Sequence, residues 1–206
     1  RNAMPLLVDT DGFAKLGVAG LLAPLLELLG VELTDCRRLP ALPHMLRRGG
    51  LPRRHGQPAC DALIGTAEAM GVAGTASTEW VARLVDVPQI DPGEAELLAY
   101  AAEHSLMLIT GDKRALVAVA KVAGFADALA GRIVTLEAAL VALCDRLGDG
   151  HVRTAVAPLL AKDITLRICF SDANSSPRPA LVSYFESLKR DAAPLVLWEP
   201  PRPGGT

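Results

Sequence analysis

The sequence predicts an α/β fold: a short parallel sheet between two helical layers, α/β/α, followed by a mainly helical C-terminal extension. Two segments carry that expectation. Leu6-Leu7-Val8-Asp9-Thr10-Asp11-Gly12 and Leu106-Met107-Leu108-Ile109-Thr110-Gly111-Asp112 are each an apolar run of strand length that reaches a carboxylate and a glycine and leads into a helical pattern. The third observation is compositional. Of 206 residues 50% are hydrophobic but only 4% aromatic, so the core must be built from Leu, Val and Ala. That suits helices packed on a parallel sheet better than an all-β sandwich. The length fits one domain with an appendage.

The first strand is expected over residues 5–9. Leu, Val and Ala then recur at helical spacing over Phe13–Leu29, where Pro24 should kink or split the helix and Gly30 should stop it. A helix over Ala59–Met70 is followed by a glycine-rich turn from Gly71 to Gly74, and another helix runs from near Ser77 to before Pro88. Asp91-Pro92-Gly93-Glu94 has the form of a helix start: an N-cap acid, proline at the first helical position and an acid in the first turn. That helix leads into a strand over Leu106–Thr110. Lys113–Val122 is helical again, and Arg132–Thr135 reads as a short last strand, which ends the α/β domain at 5–137. In the extension, 138–199, helices are expected within Leu136–Leu147, Val152–Leu160 and Ala180–Lys189, with a polar loop at Ser171–Pro179. Pro200–Thr206 reads as a disordered tail and Arg1-Asn2-Ala3, before Met4, as a cloning remnant. No internal repeat is present.

Charge and cysteine usage bound the function. A formal net charge of −2 argues against a generally basic nucleic-acid coat. Cys36, Cys60, Cys144 and Cys169 form no Cys-x-x-Cys pair, which fits reduced thiols in a cytoplasmic protein. No signal segment precedes the first strand, and no apolar run reaches the roughly 18 residues of a membrane span.

The carboxylates give the chemistry. In open parallel sheets, ligands gather at the carboxyl ends of strands, beside the helix N-termini that follow. Asp9 and Asp112 are delivered to that edge by two strands, and the helix opened by Glu94 can fold back to it. Close carboxylates raise one another's pKa unless a cation neutralises them. Hard cations such as Mg²⁺ take oxygen ligands, often one or two carboxylates plus substrate phosphates. For each acid alone, helix capping is the competing reading.

Val8-Asp9-Thr10, Gly93-Glu94-Ala95-Glu96-Leu97-Leu98-Ala99-Tyr100-Ala101 and Leu108-Ile109-Thr110-Gly111-Asp112-Lys113-Arg114-Ala115-Leu116 together resemble the PIN-domain ribonucleases, a family that includes toxins of prokaryotic toxin–antitoxin pairs. The resemblance covers about residues 5–137. It implies an endonuclease that hydrolyses RNA phosphodiesters with Mg²⁺ or Mn²⁺, and an antitoxin-like protein as a possible partner. By motif position Asp9 is the first acid with Thr10 its hydroxyl neighbour, Glu94 takes the helix acid position and Asp112 is the acid after the strand. These three would be the catalytic and metal-holding set. Many of these enzymes carry a further acid after the first helices, whereas Arg37–Arg54 contains no Asp or Glu. Asp11 is the candidate to compensate. Glu96 lies about 200° around the helix from Glu94, which points it to solvent. Lys113 and Arg114 are candidate phosphate contacts, or ordinary helix-start surface cations.

Two other functions stay open. One is a non-catalytic PIN-like interaction module. The other is a phosphatase, because Asp9-Thr10-Asp11-Gly12 also resembles the first motif of the haloacid-dehalogenase type, with Asp9 as nucleophile and Asp11 as acid/base. Against it, Phe13 is unusual there and no lysine lies between Lys15 and Lys113 to serve as that family's phosphate-stabilising lysine.

From Cys36 to Cys60 there are six arginines, two histidines and no acid. The planar guanidinium suits phosphate, and such contacts supply sequence-independent affinity. Arg47, Arg48, Arg53 and Arg54, beside Gly49-Gly50 and Pro52, therefore read equally as an RNA-backbone track on a mobile loop and as a solvated surface or a face for an acidic partner segment. His44 and His55 lack a ligand-spaced partner. The helices of the extension are apolar enough to cover a domain face or to form a homodimer interface.

Overall fold

The computed structural model describes residues 5–201. The expectations for residues 1–3 and for 202–206 lie outside that range. The chain runs through β1 (Leu6–Val8), α1 (Thr10–Val18), α2 (Leu22–Leu29), β2 (Cys36–Arg38), α3 (Leu42–Arg47), α4 (Gly50–His55), α5 (Gln57–Ala69), β3 (Gly71–Val72) and α6 (Thr78–Ala82). It continues with α7 (Pro92–His104), β4 (Met107–Thr110), α8 (Lys113–Val119), α9 (Phe125–Ala128), β5 (Ile133–Thr135), α10 (Leu136–Leu147), α11 (Asp149–Val156), α12 (Ile164–Cys169) and α13 (Arg178–Asp191). The strands form one sheet in the order β3-β2-β1-β4-β5, every neighbouring pair parallel. The α/β class is as the sequence predicts.

The sheet is buried on both faces. Leu6, Val8, Ile109 and Val134 enter one apolar core and Leu7, Leu108 and Ile133 the other, the period-two alternation of a strand. The first core is shared with α1, α2, α5 and most of α10, and the second with α7, α8 and α9. The C-terminal helices are part of this packing. Leu140 and Leu143 of α10 and Leu166 of α12 join the first core, and α13 reaches both, through Leu181 on one side and Phe185 and Leu188 on the other. All four cysteines are buried and free.

Several elements differ from expectation for local reasons. The helix predicted over Phe13–Leu29 is two helices crossing at 111°. The break is at Gly20, φ +66°, and not at Pro24. Pro24 is the third residue of α2, in the first turn, where a backbone N–H would have no partner inside the helix, so its ring is accommodated without a kink. The glycine-rich turn contains β3, two residues paired with Arg37 and Arg38. The stretch expected as a loop around Gly49-Gly50 is α3 and α4, packed by buried Leu42, Leu46 and Leu51. The helix from Ser77 is shorter than expected and ends at Ala82. Among the described residues no single helix is long and apolar enough to cross a membrane.

The strand order fixes where a site can form. From β1 the chain moves outward to β2 and β3, then returns to β4 and β5 on the other side. The carboxyl ends of β1 and β4 therefore flank the point where strand order reverses, the crevice in which open α/β sheets bind ligands.

Candidate functional site

Asp9 follows β1 directly and is built into the join between β1 and β4. Its Oδ1 accepts the Gly12 amide of α1 at 2.5 Å, and its Oδ2 accepts the Thr110 hydroxyl at 2.5 Å and the Gly111 amide at 3.2 Å. Gly12 is required by this closeness, since a Cβ there would lie 2.7 Å from Asp9 Oδ1 and 3.3 Å from Ile109. Burial pushes the Asp9 carboxyl up to about 6 against the pull of its donors, and the charge of Asp11 adds to the rise. The side chain is thus a helix cap, a strand-to-strand link and a buried acid at once.

Asp112 ends the β4 segment and caps α8, its Oδ1 accepting the amides of Arg114 and Ala115 at 2.8 and 3.0 Å. Glu94 arrives from α7 in a capping box: Asp91 accepts the Glu94 amide at 2.8 Å, and Glu94 Oε2 accepts the Asp91 amide at 2.9 Å. Burial, then the like charges of Asp112 and Asp91, push Glu94 up to about 7, although the Asp91 amide favours its charged form. Glu94 and Asp112 are therefore an interacting pair, while Asp9 sits in the adjoining wall. All three acids serve as helix caps or capping-box partners, and of the expected cluster only the Glu94–Asp112 pair interacts directly.

Asp11 is placed differently. Lys15 and Arg54 reach it at 2.7 and 3.0 Å, and its Oδ2 lies so close to Gly111 that a Cβ there would be 2.6 Å away. Lys15 is shared with Asp163, at 2.8 Å, at the start of α12. Burial opposes the charged amine, but Asp11 and Asp163 outweigh it and hold Lys15 above its usual value. Burial likewise opposes the Asp163 charge, but the Lys15 amine and the Leu166 amide, both bonded to Asp163, bring that carboxyl below its usual range. Lys113 pairs with Glu137, a carboxylate only 3% exposed in the first turn of α10, at 2.7 Å.

These residues line a trough made of two adjoining cavities that share Asp11 and Arg54. A cavity of about 460 Å³ takes in Asp9, Thr10, Asp11, Arg54 and Glu94. The next, about 440 Å³, shares Asp11 and Arg54 with it and adds Asp112, Lys113, Arg114 and Glu137. Asp163 lines that second cavity as well. Sequence reasoning missed Glu137 and Asp163. Both lie in the C-terminal part of the chain, and the only local signal of either is a helix-start acid.

The predicted arginine track is dispersed. Arg54 reaches the trough through Asp11, whereas Arg47 pairs with Glu68 at 2.5 Å on the surface and Arg53 bonds the Gly49 carbonyl at 3.1 Å. Arg48 is exposed at the end of α3. Arg38, by contrast, is buried, its Nε bonding the Ala67 carbonyl at 2.6 Å to hold α5 against β2. Glu96 is exposed, as its position on the helix predicts. Arg114 is 81% exposed and 3.8 Å from Asp112.

Among the described residues no three acidic, histidine or cysteine side chains come together as a ready group of metal ligands. The donor set nevertheless fits a hard cation in kind. Glu94 and Asp112 are both oxygen donors, and their mutual repulsion is the charge that a cation would relieve. One or two carboxylates are enough for Mg²⁺ when substrate phosphate supplies further oxygens. No protein-family model, no curated protein and no solved structure matches this chain.

Proposed function

We propose that this chain is a Mg²⁺- or Mn²⁺-dependent endoribonuclease of the PIN-domain kind, with Asp9, Glu94 and Asp112 as its acidic set. The observation that carries this reading is the Glu94–Asp112 pair beside buried Asp9, at the strand-order reversal of a parallel sheet, with no lysine or arginine paired to Glu94 or Asp9 among the described residues. A divalent cation held by Glu94 and Asp112, with Asp9 beside them, would supply an activated water and offset charge on the phosphoryl oxygens. The Asp91 amide fixes Glu94 through Oε2 and leaves Oε1 to take a proton from an attacking water. Thr110 and the amides of Gly12 and Gly111 hold Asp9 in one orientation. Exposed Arg114 would meet substrate phosphate, and Arg54 would do so by leaving Asp11. On this reading the protein is cytoplasmic, RNA is its substrate, an antitoxin-like protein is a possible inhibitor and a homodimer a possible assembly.

The second reading, a non-catalytic PIN-like interaction module, draws support from one fact: Asp9, Asp112 and Glu94 all serve helix N-termini, so each has a structural use without chemistry. The phosphatase alternative is less well supported, because both oxygens of Asp9 are taken by donors and the side chain is buried, which leaves a poor nucleophile. The deciding measurement is cleavage of single-stranded RNA with Mg²⁺ or Mn²⁺ by the wild type, Asp9→Asn, Asp112→Asn and the double variant. Loss of cleavage in the variants is expected. Wild-type rates in the double variant would overturn the assignment, and turnover of small phosphate esters without RNA cleavage would return it to the phosphatase class.

A further inference from the structure

A cavity larger than either acidic one lies elsewhere on the molecule. It measures about 650 Å³ and lies between α8, α13 and the segment before α7. Its walls are Val87, Val117, Val122, Leu188 and the ring of Tyr184, and its size is that of a small-ligand site. Lys113 and Arg114 line it and the acidic trough alike. Lys113 forms the divide, its amine 2.7 Å from Glu137 on one side and 5.1 Å from the centre of the Tyr184 ring on the other. Val117 is five residues past Asp112, about 7.5 Å further along α8. Lys121, Ser187, Asp191 and Gln89 also line the cavity, the last with a φ of +70°, which is costly for a residue other than glycine.

We infer that this cavity is a nucleobase subsite, taking one unstacked base of a single-stranded RNA whose adjoining phosphodiester lies at Glu94 and Asp112. The inference rests on the ribonuclease reading and extends it to the substrate. Apolar walls with one aromatic ring suit the flat faces of a base, and single-stranded RNA is bound by proteins in this way. Charge favours a nucleotide over an apolar peptide segment. Three cations, Lys113, Arg114 and Lys121, face the cavity against one carboxylate, Asp191, and two of those cations continue into the carboxylate trough. They would hold the phosphate that links the bound base to the scissile position.

The test uses the whole 206-residue chain silenced by Glu94→Gln and a fluorescein-labelled single-stranded decamer of adenylate, with Mg²⁺ present. An abasic ribonucleotide is moved through the decamer one position at a time, and affinity is read by anisotropy. One position is expected to weaken binding on the order of 10-fold while its neighbours do not. Tyr184→Ala and Val117→Asp should each erase that dependence, and Tyr184→Phe should keep it; thermal melts of each variant show that it is folded. A flat scan on a bound oligomer, or no binding of the decamer, overturns the inference. Wild-type cleavage measured in parallel separates the two readings. Cleavage with a flat scan removes only the base subsite. A position-dependent scan without cleavage keeps the subsite and removes the nuclease.

Discussion

Asp11, Asp163 and Glu137 each face a lysine or arginine at 2.7 to 3.0 Å, whereas Asp9 and Glu94, at the same sheet edge, face no such partner among the described residues. The paired group behaves as structure should. Lys15 ties α1 to α12, and Lys113 ties α8 to α10, so these contacts bind the C-terminal helices to the α/β domain. The other group is held at a cost. Raising Asp9 from 3.8 to about 6 corresponds to roughly 3 kcal/mol of stability given up at neutral pH. A fold selected only for stability would place a neutral acceptor or another lysine there. Carboxylates kept uncompensated beside a cleft are the arrangement expected where charge is needed for chemistry.

The largest expected effect breaks the comparison at Asp112, the acid whose charge acts on uncompensated Glu94. Asp112→Asn keeps an oxygen to cap α8 but removes the negative charge, so RNA cleavage should fall by about 10² to 10⁴, or roughly 3 to 5 kcal/mol of transition-state stabilisation. Thermal stability should change little. Equal cleavage by variant and wild type would place Asp112 with the structural acids.

The paired side should fail in the opposite manner, in stability. Lys113→Met strands the buried Glu137 carboxylate, and a cost of about 3 kcal/mol in denaturant unfolding is expected. The double variant Lys113→Met with Glu137→Leu should regain most of it, because a buried ion pair is often replaceable by apolar groups. If the single variant is as stable as the wild type, Glu137 is not dependent on this lysine and the tie between α8 and α10 lies elsewhere.

Titration sharpens the contrast. If Glu94 must lose a proton to act, log cleavage rate rises by about one per pH unit up to the Glu94 value, which is about 7 for the free carboxyl and lower with a cation bound, and levels above it. Stability runs the other way. A carboxyl whose folded value is raised binds its proton more tightly in the folded chain, so its contribution is full below the unfolded value and is lost as pH rises through the folded one. For Glu94 that window is 4.5 to about 7 and for Asp9 it is 3.8 to about 6. Glu94→Gln should therefore flatten the decline of stability across its window while abolishing the activity limb. An unchanged pH–stability curve in that variant would show that Glu94 carries no burial cost.

How far the sequence disclosed all this depended on the range of the contacts. Asp9, Glu94 and Asp112 were legible because each lies beside a local signature, an apolar strand or a proline-led helix start, and sheet topology alone brings such ends together. The strands Cys36–Arg38 and Gly71–Val72 were not, since two or three residues are too few to show alternation and Arg37-Arg38 reads as surface charge. Glu137 and Asp163 were invisible for a different reason. Their importance comes from Lys113 and Lys15, 24 and 148 residues away in the chain, and no local pattern announces such a pairing. Arg38 was misread as part of a charged stretch for the same reason, its partner being the Ala67 carbonyl of α5.

The smallest expected effect falls on the residue that stands between the two groups. Arg54 touches Asp11 but is 54% exposed, so as a structural ion pair it is worth at most about 1 kcal/mol, and Arg54→Ala should barely move the melting temperature. As a phosphate contact it would be worth more in binding than in folding. Losing it should weaken RNA affinity a few-fold for every sequence tried and lower the slope of log affinity against log salt by about one. Arg47→Ala is the control, because Arg47 is held by Glu68 away from the trough and should leave that slope unchanged. Equal salt slopes for Arg54→Ala and Arg47→Ala would mean that RNA does not follow the line of cavities past Asp11, and that the basic stretch serves α3 to α5 alone.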